Sequence, residues 1–159
     1  MIKKTDPIET VEVKALEMVK KYSLWAVGIG LTPIPLLDMA LLFVVQIKML
    51  KSLAKLYEVP YSEQKARVYI TSLIGALIPI SLCGSFFSLM KVLPILSPVV
   101  GMTAVPMILG SSAYAVGKVF IQHFEMGGTL LDFEPDRVKD YFKQQFQEGQ
   151  KVVDQLKKI

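Results

Sequence analysis

Two long stretches of this chain carry almost no charge, and they limit the folds open to it more than any other feature. From Leu24 to Ile47 the only charged residue is Asp38, and from Tyr69 to Gly117 it is Lys91. A helix needs about 20 apolar residues to cross hydrocarbon, so uncharged runs of roughly 18 or more are candidate membrane segments. A helix in a water-soluble core alternates polar and apolar faces, and these runs do not. They predict an all-α membrane protein in which lipid tails surround both stretches.

Composition agrees with this expectation. Apolar types make up 52% of the 159 residues and charged types 20%, more apolar and less charged than an average globular chain. The net charge of +4 is mild and suits anionic headgroups. No basic stripe with interleaved aromatics marks a nucleic-acid surface, so no nucleic-acid partner is expected. Cys83 is the only cysteine, which excludes an intrachain disulfide or a cysteine metal site and leaves a small buried hydrophobe as its expected role. The first residues carry Asp6, Glu9, Glu12 and Glu17 with no short hydrophobic core, so no signal peptide is expected.

One domain in five segments follows. Residues 1–23 read as an amphipathic helix, with Asp6 as cap, Pro7 at its first position and Glu9 completing a capping box. Val11, Ala15, Val19 and Tyr22 recur at helical spacing. Lys20, Lys21, Tyr22 and Trp25 look like an interfacial anchor, because amphipathic aromatic rings and snorkelling lysines settle at headgroup level. The competing reading is a surface helix whose aromatics enter a protein core.

Residues 24–47 are broken at Thr32-Pro33-Ile34-Pro35, because a helix scarcely continues through two such prolines. Neither half crosses a bilayer alone, so one kinked crossing or one shallow hairpin remains. Lysines crowd both flanks, from Lys3 to Lys21 and from Lys48 to Arg67. Basic flanks stay on the cytoplasmic side, which favours the hairpin. Pro33, Pro35 and Asp38 would form its tip. Asp38 falls in the first turn after Pro35, where it either caps the helix or serves as a proton or cation group within the membrane.

Residues 48–68 form a cytoplasmic helical connection. A helix from Leu36 to Tyr57 shows Lys48, Lys51 and Lys55 on one face and Leu50, Leu53, Ala54 and Tyr57 on another. Val59-Pro60 stops it, and Ser62 caps the next helix. Residues 69–117 are a second membrane hairpin, with Tyr69 to Met90 and Val99 to Gly117 as candidate crossings, or else a deep wedge. Small residues four apart (Thr71/Gly75, Ser81/Ser85, Ser111/Ala115, Ala113/Gly117) suit tight helix packing or oligomer contacts.

Residues 118–159 are read as cytoplasmic helices. Gly127-Gly128 ends one helix, and Asp132 to Pro135 starts the last. Its stripe is Val138, Phe142, Phe146, Val153 and Leu156, and Gly149 is a predicted weak point.

The motifs of catalysis are missing. Gly28-Ile29-Gly30 lacks a third glycine and a preceding strand, and there is no phosphate loop. His123 is the only histidine, which excludes a His-pair metal site and a His/Cys nucleophile pair. It reads as an interfacial or hydrogen-bonded residue. The acids Asp132, Glu134, Asp136 and Asp140 do not match a calcium loop and read as a solvated helix start. No enzymatic activity, metal or cofactor is expected.

Three stretches taken together, PIPLLDMALLFVVQIKMLKSLAKLYEVPYSEQKAR, the glycine- and proline-rich apolar region, and VFIQHFEMGGTLLDFEPDRVKDYF, resemble the YcjF-like bacterial membrane family, which carries a domain of unknown function numbered 697. The likeness covers roughly Leu24 to Gly149. Its most specific parts are the tip Pro33, Pro35 and Asp38, and the run with His123, Glu125, Gly127, Gly128, Asp132 and Phe133. The resemblance implies a helical inner-membrane protein whose relatives are fused to, or encoded beside, a P-loop GTPase. These residues hold no phosphate loop, so such a partner would come from another chain. The leading expectation is a non-enzymatic, homo-oligomeric anchor, scaffold or membrane-shaping element with cytoplasmic termini. The alternatives are a channel or transporter component with Asp38 and Gln46 in a polar path, and a soluble helical bundle binding an apolar ligand.

Overall fold

The computed structural model describes residues 10–31, 35–77 and 98–158, and these form five α-helices without a strand. They are α1 (Val11–Gly30), α2 (Pro35–Leu56), α3 (Glu63–Gly75), α4 (Pro98–Glu125) and α5 (Pro135–Leu156). The expected Asp6–Pro7 start, Pro33, Ser81, Cys83, Ser85 and Lys91 lie outside the described residues.

Helix α1 is capped by Thr10. Thr10 has extended backbone (ψ 152°), and its hydroxyl accepts from the Val13 amide at 3.4 Å. That Ser/Thr oxygen meets one of the free donors every helix start leaves, so α1 begins at Val11. It then runs through Trp25 to Gly30 without a break.

Helix α2 opens at Pro35, places Asp38 in its first turn, and ends at Leu56. Its end is a Schellman turn: the Val59 amide donates to the Ala54 carbonyl at 2.8 Å, and Glu58 takes the left-handed conformation at φ 56°. Ser62 caps α3 as expected, its hydroxyl accepting from the Lys65 amide. Helix α3 takes in the first residues of the predicted crossing from Tyr69 to Met90, the rest of which, from residue 78 on, lies outside the described residues. It closes at Gly75, with the Ala76 amide donating back to Ser72 and Leu73 carbonyls.

Helix α4 is the centre of the molecule. It passes through Lys118 without interruption, although that lysine was the expected end of an apolar segment. Within it, Ala104–Glu125 is the one segment among the described residues long and apolar enough to cross a bilayer, and most of its apolar part is buried inside the protein. Helices α1 and α5 run along it. Helix α2 packs on α1 and α4 and does not touch α5. The core gathers Val19, Met49, Leu50, Leu53, Ile70, Phe120, Phe124, Leu130, Phe133 and Phe142. Fully burying one such side chain is worth about 1.5–3 kcal/mol, which is what holds α3 and α5 to the centre.

Helix α5 starts at Pro135, as expected, and buries Phe142, Gly149 and Val153. Gly149 is a packing point. A methyl there would lie 3.0 Å from the Ser111 carbonyl oxygen and 3.0 Å from the Tyr114 ring.

Candidate functional site

Around the Tyr22–Ser52 contact, charge gives way to apolar surface on two neighbouring helices. The Ser52 hydroxyl donates to the Lys48 carbonyl at 3.0 Å, so the 3.1 Å contact with Tyr22 must have the tyrosine as donor. On the α1 side of this bond Lys21 is exposed, and the exposed residues that follow are Leu24, Trp25, Gly28 and Leu31. On α2 the outward stripe reads Leu41 and Val44, then Lys48, Lys51 and Lys55. Trp25 is 62% exposed, the largest ring on this face.

The four expected anchor residues are therefore divided. Lys21 and Trp25 share the outward face, Lys20 is half-buried on the flank, and Tyr22 turns inward to α2. Leu41 and Val44 were missed as part of this surface. Their three- and four-residue spacing to Lys48 was a signal that could have found them.

The small residues expected at helix contacts meet neighbours within the chain. Ser111, Ala113, Ala115 and Gly117 are all buried. A methyl on Gly117 would collide with Val19, and one on Gly110 would lie 2.6 Å from Val27 and 3.1 Å from Val153. A methyl on Gly30 would sit 2.7 Å from the Pro106 Cα. Successive glycines thus let α1, α4 and α5 approach backbone to backbone. Gly75 is exposed with nothing nearby. Between α2 and α4, the fully buried Gln46 amide donates to the Ser112 hydroxyl at 3.3 Å, and its Oε1 has no partner among the described residues.

The run from His123 to Phe133 is a hydrogen-bonded corner between α4 and α5. Gly127 takes φ 81°, and the Gly128 amide donates to the His123 carbonyl at 2.9 Å. Glycine at the left-handed position of such a cap avoids the Cβ penalty. The His123 ring lies so close over Gly128 that a methyl would collide with it. Its Nε2–H donates to the Thr129 carbonyl at 2.8 Å. Asp132 accepts from the Thr129 hydroxyl at 2.7 Å and the Thr129 amide at 2.6 Å. Those two bonds, hydroxyl first, hold its carboxyl below the usual carboxylate range.

Phe133 stacks on Phe120 at 4.5 Å and meets the His123 ring edge-on at 5.0 Å. Tyr69 donates to the Leu130 carbonyl at 2.9 Å, tying α3 to the corner. Glu125 accepts from the Tyr57 hydroxyl at 2.9 Å, tying in the end of α2. Beside the corner lies an open groove of about 430 Å³ lined by Gln122, His123, Met126, Asp132, Arg137 and Tyr141 among others. The geometry is that of a structural joint, with His123 committed to ordering the loop. Among the described residues, no three His, Cys, Asp or Glu side chains come together as metal ligands.

The chain belongs to the bacterial protein family defined by the domain of unknown function DUF697, whose family model matches residues 4–151. A curated relative, magnetosome membrane protein 22 of Magnetospirillum gryphiswaldense, is 34% identical over 147 residues, covering 92% of this chain and 75% of the relative. No solved structure matches the chain.

Proposed function

We propose that the chain is a non-enzymatic bacterial membrane protein that oligomerises and acts as an anchor, scaffold or membrane-shaping element. The observation that carries this reading is the change from lysine to exposed apolar residues at one height on both α1 and α2. Large exposed apolar surface bordered by polar residues marks a membrane or protein contact. The name of the magnetosome relative supports the membrane as that contact.

On this reading residues 24–47 enter one leaflet with Pro33, Pro35 and Asp38 at the tip, and 69–117, apart from the enclosed stretch Leu109 to Gly117, form a second membrane segment. Residues 1–23, 48–68 and 118–159 stay on the cytoplasmic side of the inner membrane. A shallow wedge displaces headgroups in one leaflet only, which gives a physical route to curvature. The water-side helices would recruit a partner such as a P-loop GTPase, through the groove beside His123 or the outer face of α5. Alkaline carbonate extraction of native membranes tests the reading: the chain is expected in the membrane fraction, and full release into the supernatant overturns it.

A second reading, a transport component, is favoured by the buried and half-satisfied Gln46. It expects Asp38→Asn to alter ion or proton flux with assembly intact. The scaffold reading expects no flux phenotype and at most a small loss of stability.

A further inference from the structure

We propose that the outward face of α1 and α2 is a seat for anionic lipid, with Lys21, Lys48 and Lys51 on headgroup phosphates and Trp25 below them in the acyl boundary. This rests on the membrane reading and specifies the lipid chemistry and the side of the bundle that meets it.

The placement of lysines beside exposed apolar surface carries the argument. Arg67 pairs with Glu63, Arg137 with Glu134, Lys139 with Asp136 and Lys158 with Asp154, while other lysines, Lys55, Lys151 and Lys157 among them, have no carboxylate partner among the described residues. Lys21, Lys48 and Lys51 have no carboxylate within ion-pair distance among the described residues, and all three are exposed. They are left for a charge outside the chain. They also lie near one level, because Lys48 and Lys51 stand within the turn that precedes Ser52, which meets Tyr22 next to Lys21. Past that level on α1 come Leu24, Trp25 and Leu31, and on α2 Val44 and Leu41, all exposed. Lysine stems lying along apolar surface with their heads at the phosphates, beside an interfacial tryptophan, are the arrangement that headgroup depth selects.

The opposite side of the bundle stays wet. Val27 of α1 and Val153 of α5 meet the same Gly110, so the last turns of α5 stand at the height of Trp25. Those turns expose Lys151, Gln155, Lys157 and the Lys158–Asp154 pair. Lipid all round at that height would bury these charges at large cost. Helix α5 does not touch α2, so a one-sided seat covers the apolar face and leaves α5 in water.

Trp25 is the only tryptophan and reports its own surroundings. The full chain is reconstituted into phosphatidylcholine vesicles containing either brominated phosphatidylglycerol or brominated phosphatidylcholine, and quenching of Trp25 emission gives the lipid preference at this face. The seat expects a severalfold preference for the anionic lipid, bounded by roughly fivefold per lysine. High salt or the triple change Lys21→Gln, Lys48→Gln, Lys51→Gln is expected to bring the preference close to one, with helix content unchanged. Equal quenching by both lipids in the unaltered chain overturns the lysine seat and leaves the membrane reading standing. So does flotation with vesicles without any quenching of Trp25. Failure to float with vesicles of either lipid defeats both.

Discussion

Gly28 and Gly30 stand two residues apart in α1 and are expected to respond to alanine with opposite signs. Gly28 is exposed and an added methyl would have nothing within 4 Å, whereas at Gly30 that methyl meets the Pro106 backbone at 2.7 and 2.9 Å. Gly28→Ala should gain about 0.5–1 kcal/mol, the helical cost of glycine relative to alanine. Gly30→Ala gains the same preference but overpacks against backbone that cannot rotate aside, at a cost of about 1–3 kcal/mol. The net expectation is a loss, and thermal unfolding of the two variants side by side checks the pair. Glu58 gives a third case. It holds a left-handed conformation at φ 56°, which costs a non-glycine residue roughly 1 kcal/mol. Glu58→Gly is therefore expected to raise the unfolding midpoint, and an unchanged or lower midpoint would count against the strain.

The elements show which parts of this fold were written locally. Pro35, Val59-Pro60, Ser62, Gly127-Gly128 and Pro135 all mark helix boundaries close to where the sequence places them, because caps and breakers act within a turn of themselves. Thr10 caps α1, and the expected start at Asp6 lies outside the described residues. Helix α3 closes at Gly75, and the run from Tyr69 to Met90 leaves the described residues at 78. What depends on partners distant in sequence was not legible. Tyr22 and Trp25 lie only about 60° apart around a helix of 3.6 residues per turn, yet one bonds Ser52 and the other faces outward. Gly149 looked like a flaw because nothing nearby in sequence announces Ser111.

The corner between α4 and α5 carries a pH expectation. The folded Asp132 carboxyl is held below its ordinary range by Thr129. Its contribution is thus present above the unfolded pKa and lost as pH falls through the lower folded one. Asp132→Asn should remove that acid-side dependence, read as the pH profile of amide exchange at Thr129. The Tyr57 hydroxyl runs the other way. Burial first, then the Glu125 carboxylate, raises its pKa, so its contribution persists below the ordinary phenol range and is lost only as pH climbs through the raised value. Tyr57→Phe is expected to cost about 1 kcal/mol, near the usual net worth of a hydrogen bond, and urea unfolding near neutral pH measures it.

At the scale of the whole molecule, the apolar runs serve two ends that composition alone does not separate. Part of the second run, from Leu109 to Gly117, is enclosed by the chain's own helices, so its small residues are already used. Gly117→Leu is expected to destabilise the fold itself, seen as a lowered unfolding midpoint, without a discrete change in oligomer size by light scattering. Part of the first run stays uncovered on α1 and α2, and it is this remainder that the proposed reading takes as the membrane contact.

The glycine contacts that join α1 to α4 have one more consequence. Gly30 against Pro106, Val27 against Gly110 and Val19 against Gly117 engage like teeth along an antiparallel pair. Sliding either helix by one residue would drive side chains into backbone at every tooth together. Piston strokes and axial rotation are thereby opposed in this pair, so α1 and α4 behave as one rigid unit.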